Sequence, residues 1–231
     1  MNRIRLQMLT TLAALLCSLC LVSTSIAIPI EGLYNTGVDD NGIPLANSAA
    51  SIDTHYTISP NPDLGSDGLT HVEDETAFPV GSAWLANTAT SKWIAPRFDT
   101  AGSAGGLFSY NLSFNLGYVD LTSATISGDW AVDDGTVDAP SFGVFLNGVK
   151  VALSNSAGYS SFTSFTIPTG SPFVSGENVL SFRFNNGGSY TGLMVNNLNG
   201  SVTALAPEPS SLLLLGFGTL LVARRKRKAQ A

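Results

Sequence analysis

The strict alternation of apolar and polar residues from Leu107 to Leu116 restricts the possible folds more than any other feature of this sequence. The apolar positions are Phe108, Tyr110, Leu112, Phe114 and Leu116. Because successive side chains of a strand point to opposite faces, this alternation predicts a half-buried β-strand. Residues 124–132 alternate in the same way, with Ile126 and Trp130 on the apolar face. No stretch between the two ends of the chain has the period of a helix, so the sequence predicts an all-β fold.

Turn residues divide the rest of this region into short predicted strands. Asn147 and Gly148 separate the apolar runs 142–146 and 149–153, and both residue types tolerate positive φ, so a β-hairpin is predicted there. Further strands are predicted at residues 30–34, 53–59, 162–167, 179–184, 193–195 and 202–205. Short strands at regular spacing with Gly and Asn turns are typical of a β-sandwich. Its predicted core includes Phe114, Ile126, Trp130, Phe145, Phe165, Leu180 and Phe182.

The N-terminus has the pattern of a secretory signal peptide. Arg3 and Arg5 precede an apolar stretch from Leu12 to Val22, and Ser25 and Ala27 then supply the small residues that signal peptidase requires. The sequence therefore predicts a signal helix over residues 1–27 that is removed by cleavage after Ala27. A retained N-terminal membrane anchor is the alternative, but the apolar run is shorter than the ~20 residues that span a bilayer.

The C-terminus combines three features in a fixed order. Pro207, Glu208 and Pro209 come first, and an apolar run from Leu212 to Ala223 follows. The chain then continues with Arg224, Arg225, Lys226, Arg227 and Lys228. A transmembrane helix is predicted over the apolar run, and the positive-inside rule keeps the basic cluster in the cytoplasm. Everything before the helix is then predicted to lie on the outer side of the membrane.

This order of Pro-Glu-Pro, apolar helix and basic cluster, behind a signal peptide, resembles the PEP-CTERM sorting signal. The resemblance implies that exosortase, a membrane protease of exopolysaccharide-producing Gram-negative bacteria, processes the chain. It also implies three regions: a signal peptide at 1–27, a passenger at 28–206 and a sorting signal at 207–231. A permanent tail anchor is the alternative, and it accounts for the helix and the basic cluster but not for Pro-Glu-Pro.

The passenger is strongly acidic, although the full chain has a formal charge of only −6. Between residues 28 and 206 the four basic residues are opposed by sixteen acidic ones, a formal charge of −12. Such a surface repels nucleic acid, so no nucleic-acid partner is expected. Cys17 and Cys20 both lie in the predicted signal peptide. The mature passenger is therefore expected to contain no disulfide and no thiol nucleophile.

Several segments of the passenger resemble the galactose-binding-like jelly-roll domain that often accompanies PEP-CTERM signals. They are residues 32–39, 53–56, 91–96, 128–134, 146–148, 173–180 and 191–193. This resemblance implies an antiparallel jelly-roll β-sandwich. Asp134 and Met194 stand where family members often have Asn and Arg, so the resemblance implies a fold and no particular ligand.

Two candidate ligand sites follow from the residues. Asp129, Asp133, Asp134 and Asp138 lie within ten residues, and Ca²⁺ takes oxygen ligands, so a weak Ca²⁺ site is predicted at Asp133 and Asp134. A solvated acidic loop is the alternative, and residues 71–75 are predicted to form a second exposed acidic loop. Trp84 and Trp93 are candidate sugar contacts, with a place in the core as the alternative.

No catalytic residue is predicted, because the chain lacks a nucleophile elbow, zinc spacing and a phosphate loop. The passenger is thus expected to be a non-enzymatic protein of the cell surface or exopolysaccharide matrix. Its expected partners are signal peptidase, exosortase and extracellular polysaccharide, with transient anchoring in the inner membrane and the passenger on the periplasmic side. The alternatives are a carbohydrate-binding module with a defined sugar site and a glycan-acting enzyme.

Overall fold

The computed structural model describes residues 26–134, 140–152 and 158–205. The strands are β1 (Ala27–Pro29), β2 (Tyr56–Ile58), β3 (His71–Val72), β4 (Ile94–Ala95), β5 (Gly106–Leu116), β6 (Val119–Asp133), β7 (Gly143–Leu146), β8 (Val149–Ala152), β9 (Thr163–Ile167), β10 (Gly176–Asn186) and β11 (Gly192–Ala204). These described residues include no helix long and apolar enough to cross a membrane. Residues 1–25 of the predicted signal helix and the whole predicted transmembrane helix lie outside the described residues, whereas Ala27 begins β1.

The strands form two antiparallel sheets. The six-stranded sheet has the order β3-β4-β11-β6-β9, and β1 also pairs with β11. The five-stranded sheet has the order β2-β5-β10-β7-β8. Its longest ladder pairs β5 with β10, from Gly106 opposite Asn186 to Leu116 opposite Gly176. The prediction of an all-β, two-sheet fold is confirmed, and residues 27–203 form one compact unit. The jelly-roll assignment stays a prediction.

Burial along β5 and β6 follows the alternation seen in the sequence. In β5 the even positions from Phe108 to Leu116 are buried, whereas Ser113 and Asn115 are exposed. Trp130 of β6 lies 5.7 Å from Phe182 of β10, measured between ring centroids. Because these two residues belong to different sheets, their contact lies in the core between the sheets. Burial of rings of this size contributes strongly to the stability of a small domain.

Six of the seven predicted core residues lie in the main core between the sheets. Phe145 is the exception, because it is buried but does not belong to that core. Its neighbours Val144 and Leu146 point into the main core, so Phe145 faces the other side of β7. There the guanidinium carbon of Arg183 lies 4.2 Å from the centre of the Phe145 ring, in a cation–π contact.

The predicted hairpin is present between β7 and β8. Leu146 pairs with Val149, and Asn147 and Gly148 between them have φ of 51° and 80°. Positive φ at both central positions matches the right-handed twist of the two strands, which explains the Asn-Gly sequence.

The end of the chain differs from the prediction, because β11 is one strand of 13 residues rather than two short ones. Residues 196–201 between the two predicted strands are mostly Asn, Gly and Ser, which are residues typical of turns. Asn197 does have a positive φ of 53°, but the strand continues through it. Its side-chain amide donates a hydrogen bond of 2.8 Å to Asp129, which connects this irregular point to β6.

The strand predicted at residues 53–59 is shorter in the structure, where only Tyr56–Ile58 forms β2.

Candidate functional site

Asp133 and Asp134 lie at the C-terminal end of β6, next to the turn between β10 and β11. Asp133 is buried, and this burial, together with the nearby carboxylate of Asp134, raises its pKa to about 7. A hydrogen bond from the side chain of Trp84 opposes the rise. Asp134 is exposed, and its carboxylate accepts a hydrogen bond of 2.6 Å from the amide of Gly187. The two predicted ligands are therefore adjacent but differ in their contact with solvent.

Of the other two acidic residues of this predicted cluster, only Asp129 belongs to the described structure. The Asp129 carboxylate accepts hydrogen bonds from the hydroxyl of Ser164 at 2.5 Å and the amide of Asn197 at 2.8 Å. Asp138 lies outside the described residues. Among residues 26–134, 140–152 and 158–205, no three His, Cys, Asp or Glu side chains are grouped to hold a metal ion. A Ca²⁺ site at Asp133 and Asp134 stays a prediction.

Trp84 and Trp93, the candidate sugar contacts, both lie in a second, smaller hydrophobic cluster with Val80, Ala131 and Met194. The two tryptophan rings are 4.4 Å apart, and the Trp93 indole donates a hydrogen bond of 2.8 Å to the carbonyl of Leu85. Trp84 is 4% exposed and Trp93 is fully buried. Because stacking on a sugar requires an open ring face, this arrangement corresponds to the core alternative rather than to a sugar contact.

Glu73 occupies a very different place from the exposed loop predicted for residues 71–75. His71 and Val72 form β3, and Glu73 directly after it is 1% exposed. The pKa of Glu73 is raised to about 8, chiefly by burial and also by the charges of Asp99 and Asp74, against two opposing hydrogen bonds. Both of those hydrogen bonds come from Thr100 to Oε1, from its amide at 3.3 Å and its hydroxyl at 2.9 Å. The exposed-loop prediction is wrong for this residue because the short β3–β4 pairing draws it inside.

Four buried side-chain oxygens near this end of the sandwich have no hydrogen-bond partner among the described residues. They are Glu73 Oε2, Tyr110 OH, Asn186 Oδ1 and Thr191 Oγ1. Thr191 lies beside the Glu73–Thr100 pair, since its amide is 3.5 Å from the Thr100 hydroxyl. Burial, followed by the charges of Glu73 and Asp63, raises the pKa of Tyr110 well above its usual range. Buried polar atoms without partners are rare in folded proteins and require an explanation.

A second carboxylate in this region, that of Asp63, is fully satisfied. It accepts a hydrogen bond of 3.0 Å from Arg97 Nε and one of 2.7 Å from the hydroxyl of Ser103. Burial alone would raise the pKa of Asp63, but the hydrogen bonds from Ser103, Arg97 and the Gly65 amide outweigh it, so the pKa is lowered. Asp63 and Glu73 are thus opposite cases, because Asp63 is paired with the cationic side chain of Arg97 and Glu73 is hydrogen-bonded only to the neutral residue Thr100.

Both histidines are engaged by carboxylates. His55 Nε2 lies 3.0 Å from Asp40, and its ring stacks on Tyr34 with centroids 3.7 Å apart. His71 Nε2 lies 3.0 Å from Asp67. Neither histidine is hydrogen-bonded to a serine or threonine hydroxyl in the described part of the chain. Both histidines therefore contact carboxylates, and neither contacts a hydroxyl that it could activate as a nucleophile in the described part of the chain.

The two ends of the passenger lie side by side in the six-stranded sheet. In β1, Ile28 pairs with Val202 and Pro29 pairs with Ser201 of β11. The residues that follow β11 match the PEP-CTERM protein-sorting motif over positions 205–228. The chain carries a PEP-CTERM sorting motif. This motif is the recognition signal of exosortase, so the protein is an exported exosortase substrate that passes the membrane toward the cell surface.

The other comparisons add little to the PEP-CTERM match. No curated protein matches the chain. Among solved structures, the apo form of a cyclase from Fischerella sp. is similar over 76% of this chain and 96% of its own, with 13% identity and a TM-score of 0.45. A likeness at this level does not transfer an activity. Pro207, Glu208, Pro209, the five basic residues at 224–228 and the signal-peptide residue Ser25 lie outside the described residues.

Glu73, Thr100, Tyr110 and Thr191 were not predicted to lie together. They come from four separate segments of the chain, and nothing in their spacing predicts that they meet. The strongest available signal was the segment 70–73, Thr-His-Val-Glu, in which an apolar residue precedes the acid. An isolated apolar residue is too short a pattern to indicate a strand.

Proposed function

We propose that this protein is anchored briefly in the inner membrane by its C-terminal helix and that exosortase then cuts at or near Pro207, Glu208 and Pro209. The match of residues 205–228 to the PEP-CTERM motif carries this proposal. The passenger lies on the periplasmic side during anchoring. After release it becomes a non-enzymatic protein of the cell surface or exopolysaccharide matrix.

The physical case for the temporary anchor rests on the order of residues in the tail. The apolar run from Leu212 to Ala223 can satisfy its backbone hydrogen bonds in a bilayer only as a helix. The basic residues 224–228 are costly to transfer through hydrocarbon, so they stop translocation and orient the helix. Pro207 and Pro209 disfavour a continuing helix around Glu208, which leaves an extended segment at the outer boundary of the membrane.

The structure of the passenger supports this order of events. Pairing between β1 and β11 brings the first and last strands of the passenger together, and residues 27–203 form a compact unit. Cleavage after Ala27 removes the pair of Ala27 with Thr203 but keeps Ile28 and Pro29 paired with β11.

Alanine replacement of Pro207, Glu208 and Pro209 tests the cleavage step. In the producing bacterium, the variant is expected to accumulate as a membrane-bound protein that is longer than the mature form by about the length of the tail. A double variant with Ser210→Ala and Ser211→Ala, which keeps Pro-Glu-Pro, is the matched control and is expected to be processed normally. Immunoblots of membrane and released fractions measure both. Normal processing of the triple variant would refute the proposal and favour a permanent tail anchor or another protease.

The non-enzymatic role is supported by the carboxylate partners of both histidines and by the burial of both candidate sugar-stacking tryptophans. We expect the released passenger to co-sediment with polysaccharide from the producing strain without shortening it. Size-exclusion chromatography of the polysaccharide before and after incubation measures turnover. Shortened polysaccharide would indicate a glycan-acting enzyme, and saturable binding of one defined oligosaccharide would indicate a carbohydrate-binding module.

A further inference from the structure

The strand that leads to the sorting motif finishes at one end of the sandwich, which we call the exit end. Near the close of β11, Thr203 pairs with Ala27 of β1, and its amide donates a hydrogen bond of 2.8 Å to the hydroxyl of Ser123, close to the start of β6. The turn at Gly117 and Tyr118 lies at the same end, because it joins the end of β5 to the start of β6.

Two further loops of the five-stranded sheet reach the exit end. β10 begins there, since Gly176 pairs with Leu116, the last residue of β5. The turn between β7 and β8 is attached to the loop before β10, because the side-chain amide of Asn147 donates hydrogen bonds of 2.8 Å to the carbonyl of Pro172 and 2.9 Å to Asn178. The exit end thus consists of residues 27–28, 117–120, 147–149, 168–177 and 203.

Each of these turns and strand ends exposes a large apolar side chain. Tyr118 is 78% exposed, and Val149, Val174 and Ile28 are exposed as well. Val174 and the turn before Val149 are linked by one side chain, because the Asn178 carbonyl oxygen accepts hydrogen bonds from the Val174 amide and from Asn147. Large apolar side chains exposed together on one surface indicate an interaction site.

The exit end is also the less acidic part of the passenger. Its segments contain two acidic residues, Asp120 and Glu177, and no basic side chain, so their formal charge is −2 against −12 for the whole passenger. Membrane surfaces that carry anionic lipids are negatively charged. A lipid surface is therefore repelled less by the exit end than by the rest of the passenger.

The length of chain after β11 keeps the exit end near the membrane. β11 ends at Ala204, and the predicted transmembrane helix begins at Leu212. Eight residues at full extension span no more than about 29 Å, of which the headgroup layer takes about 5–8 Å. A compact domain of this size is roughly 40 Å across. The tether is thus shorter than the domain, and the exit end is the part of the passenger that it holds beside the bilayer.

We propose that the exit end docks on the lipid bilayer while the tail is anchored, with Tyr118, Val149 and Val174 in the headgroup layer. The docking rests on the proposed tail anchor. A tyrosine suits this layer, because its ring is apolar and its hydroxyl is polar. A weak contact is sufficient, since a short tether gives an effective concentration of about millimolar. Cleavage of the tail removes the tether, so the same contact no longer retains the passenger.

This docking has a consequence for sorting. Pro207 follows Ala204 by three residues, so a docked exit end holds the Pro-Glu-Pro segment within about 11 Å of a fixed point at the membrane surface. A second copy of the chain is a poorer occupant of this surface. Four partly exposed side chains offer much less than the ~800 Å² per partner of a standard interface, and two acidic passengers repel each other.

The test uses the exported precursor with its tail intact, produced in a bacterium without exosortase. The precursor is reconstituted in vesicles of phosphatidylethanolamine and phosphatidylglycerol that contain a lipid with a nitroxide on its headgroup. Cys17 and Cys20 leave with the signal peptide, so Ser175→Cys supplies the only thiol for a bimane label. Asn185→Cys is the reference, since it lies about 33 Å further along β10, and we expect nitroxide quenching to be at least about threefold stronger at position 175.

Two double variants test whether the apolar side chains are responsible. Tyr118→Ser with Val174→Ser is expected to reduce the quenching at position 175 to the level at position 185. In the producing bacterium it is also expected to slow removal of the tail several-fold, measured by pulse-chase labelling. Phe78→Ser with Leu64→Ser is the matched control, because it removes one exposed aromatic and one exposed aliphatic side chain outside the exit end. It is expected to keep both the quenching and the rate of processing.

Equal quenching at positions 175 and 185 overturns the docking. Quenching that persists in the Tyr118 and Val174 variant, or that the control variant also loses, overturns it as well. Extraction of the vesicles with alkaline carbonate tests the proposed anchor separately. A precursor that washes off shows that the tail anchor is wrong, and the docking is then wrong with it. A precursor that resists extraction but shows equal quenching leaves the anchor in place and rejects the docking alone.

Discussion

The first and second halves of the passenger are held together in different ways. Residues 106–204 contain the long strands, with 11 residues in β5, 15 in β6, 11 in β10 and 13 in β11. Residues 26–105 contain four strands of two or three residues each. Hydrogen-bonded ladders between these long strands hold the second half together, and the strands themselves can be predicted from the alternation of apolar and polar residues. The first half has few such ladders, and side chains that hydrogen-bond to distant backbone groups hold it in place.

Thr36 shows how the first half is connected to the rest. Its hydroxyl donates a hydrogen bond of 2.6 Å to the carbonyl of Lys92 and accepts one of 2.9 Å from the amide of Val195. Asp53 acts similarly, because its carboxylate accepts hydrogen bonds from the amides of Gly37 and His55. Such contacts satisfy backbone groups where no neighbouring strand does so. The first half also holds Glu73, the buried acid whose Oε2 has no hydrogen-bond partner among the described residues.

The largest effect is expected from a change in the core between the long strands. Trp130 is fully buried and packs on Phe182 of the opposite sheet. Trp130→Ala is expected to lower the free energy of unfolding by about 3–5 kcal/mol, as for other large-to-small changes of buried aromatic residues. Tyr118→Ala is the control, because Tyr118 is 78% exposed and its loss is expected to change stability by less than about 0.5 kcal/mol. Urea denaturation measures both. A small effect at Trp130 would contradict a stability dominated by the long strands.

A pair of glycines, one in each half, compares the two kinds of structure directly. Gly148 has φ of 80° and open space where a Cβ would lie, so Gly148→Ala is expected to cost only the backbone strain, about 1 kcal/mol. Gly37 has φ of 68°, but a Cβ there would lie 2.6 Å from the Cβ of Lys92. Gly37→Ala is therefore expected to cost clearly more than Gly148→Ala in thermal unfolding. Equal costs would mean that the first half shifts easily and is not closely packed.

The same contrast explains how much of the molecule could be predicted from its sequence. The all-β class, the burial along β5 and β6 and the Asn-Gly hairpin were predictable, because each depends on residues adjacent in the chain. Placing Glu73 inside requires the pairing of β3 with β4, where His71 lies opposite Ala95, and no local pattern specifies that pairing. Trp84 and Trp93 lie in segments with the composition of loops, and no local pattern predicts that they are buried. Their burial depends on Met194 and Ala131, about 40 to 110 residues away in sequence.

A smaller effect is expected from a single hydrogen-bonding side chain of the first half. Thr36→Val keeps the shape of the residue but removes the hydroxyl, which leaves the amide of Val195 without its acceptor. The expected loss is about 1–3 kcal/mol, the usual cost of an unsatisfied buried polar group. Thr57→Val is the matched control, since Thr57 is exposed on β2 and its hydroxyl makes only a long contact of 3.5 Å with Asn111. If both variants unfold at the same temperature as wild type, side-chain hydrogen bonds do not hold the first half in place.

The smallest effect is expected from His55, which lies where the turn after Gly37 meets the segment before β2. Hydrogen bonding to Asp53 raises the pKa of His55 above its usual 6.5, with a further contribution from Asp40, although burial opposes the shift. Asp39 also faces this histidine, and its own pKa is lowered, chiefly by a hydrogen bond from the Ile43 amide and partly by the charge of His55. The charged groups facing the ring are thus carboxylates, and they favour the imidazolium.

The sign of the pH dependence follows from this shift. Because the folded state holds the proton on His55 more tightly than the unfolded state, the contribution to stability is complete below pH 6.5 and is lost as the pH rises through the folded pKa. His55→Phe keeps an aromatic ring for stacking on Tyr34 but cannot titrate, so it isolates the charge. We expect the stability difference between wild type and this variant to be largest near pH 5 and to shrink toward about pH 8, measured by urea denaturation at each pH. Parallel curves across this range would mean that the carboxylates do not stabilise the imidazolium. The first half would then depend on neutral hydrogen bonds, such as those of Thr36, rather than on charge.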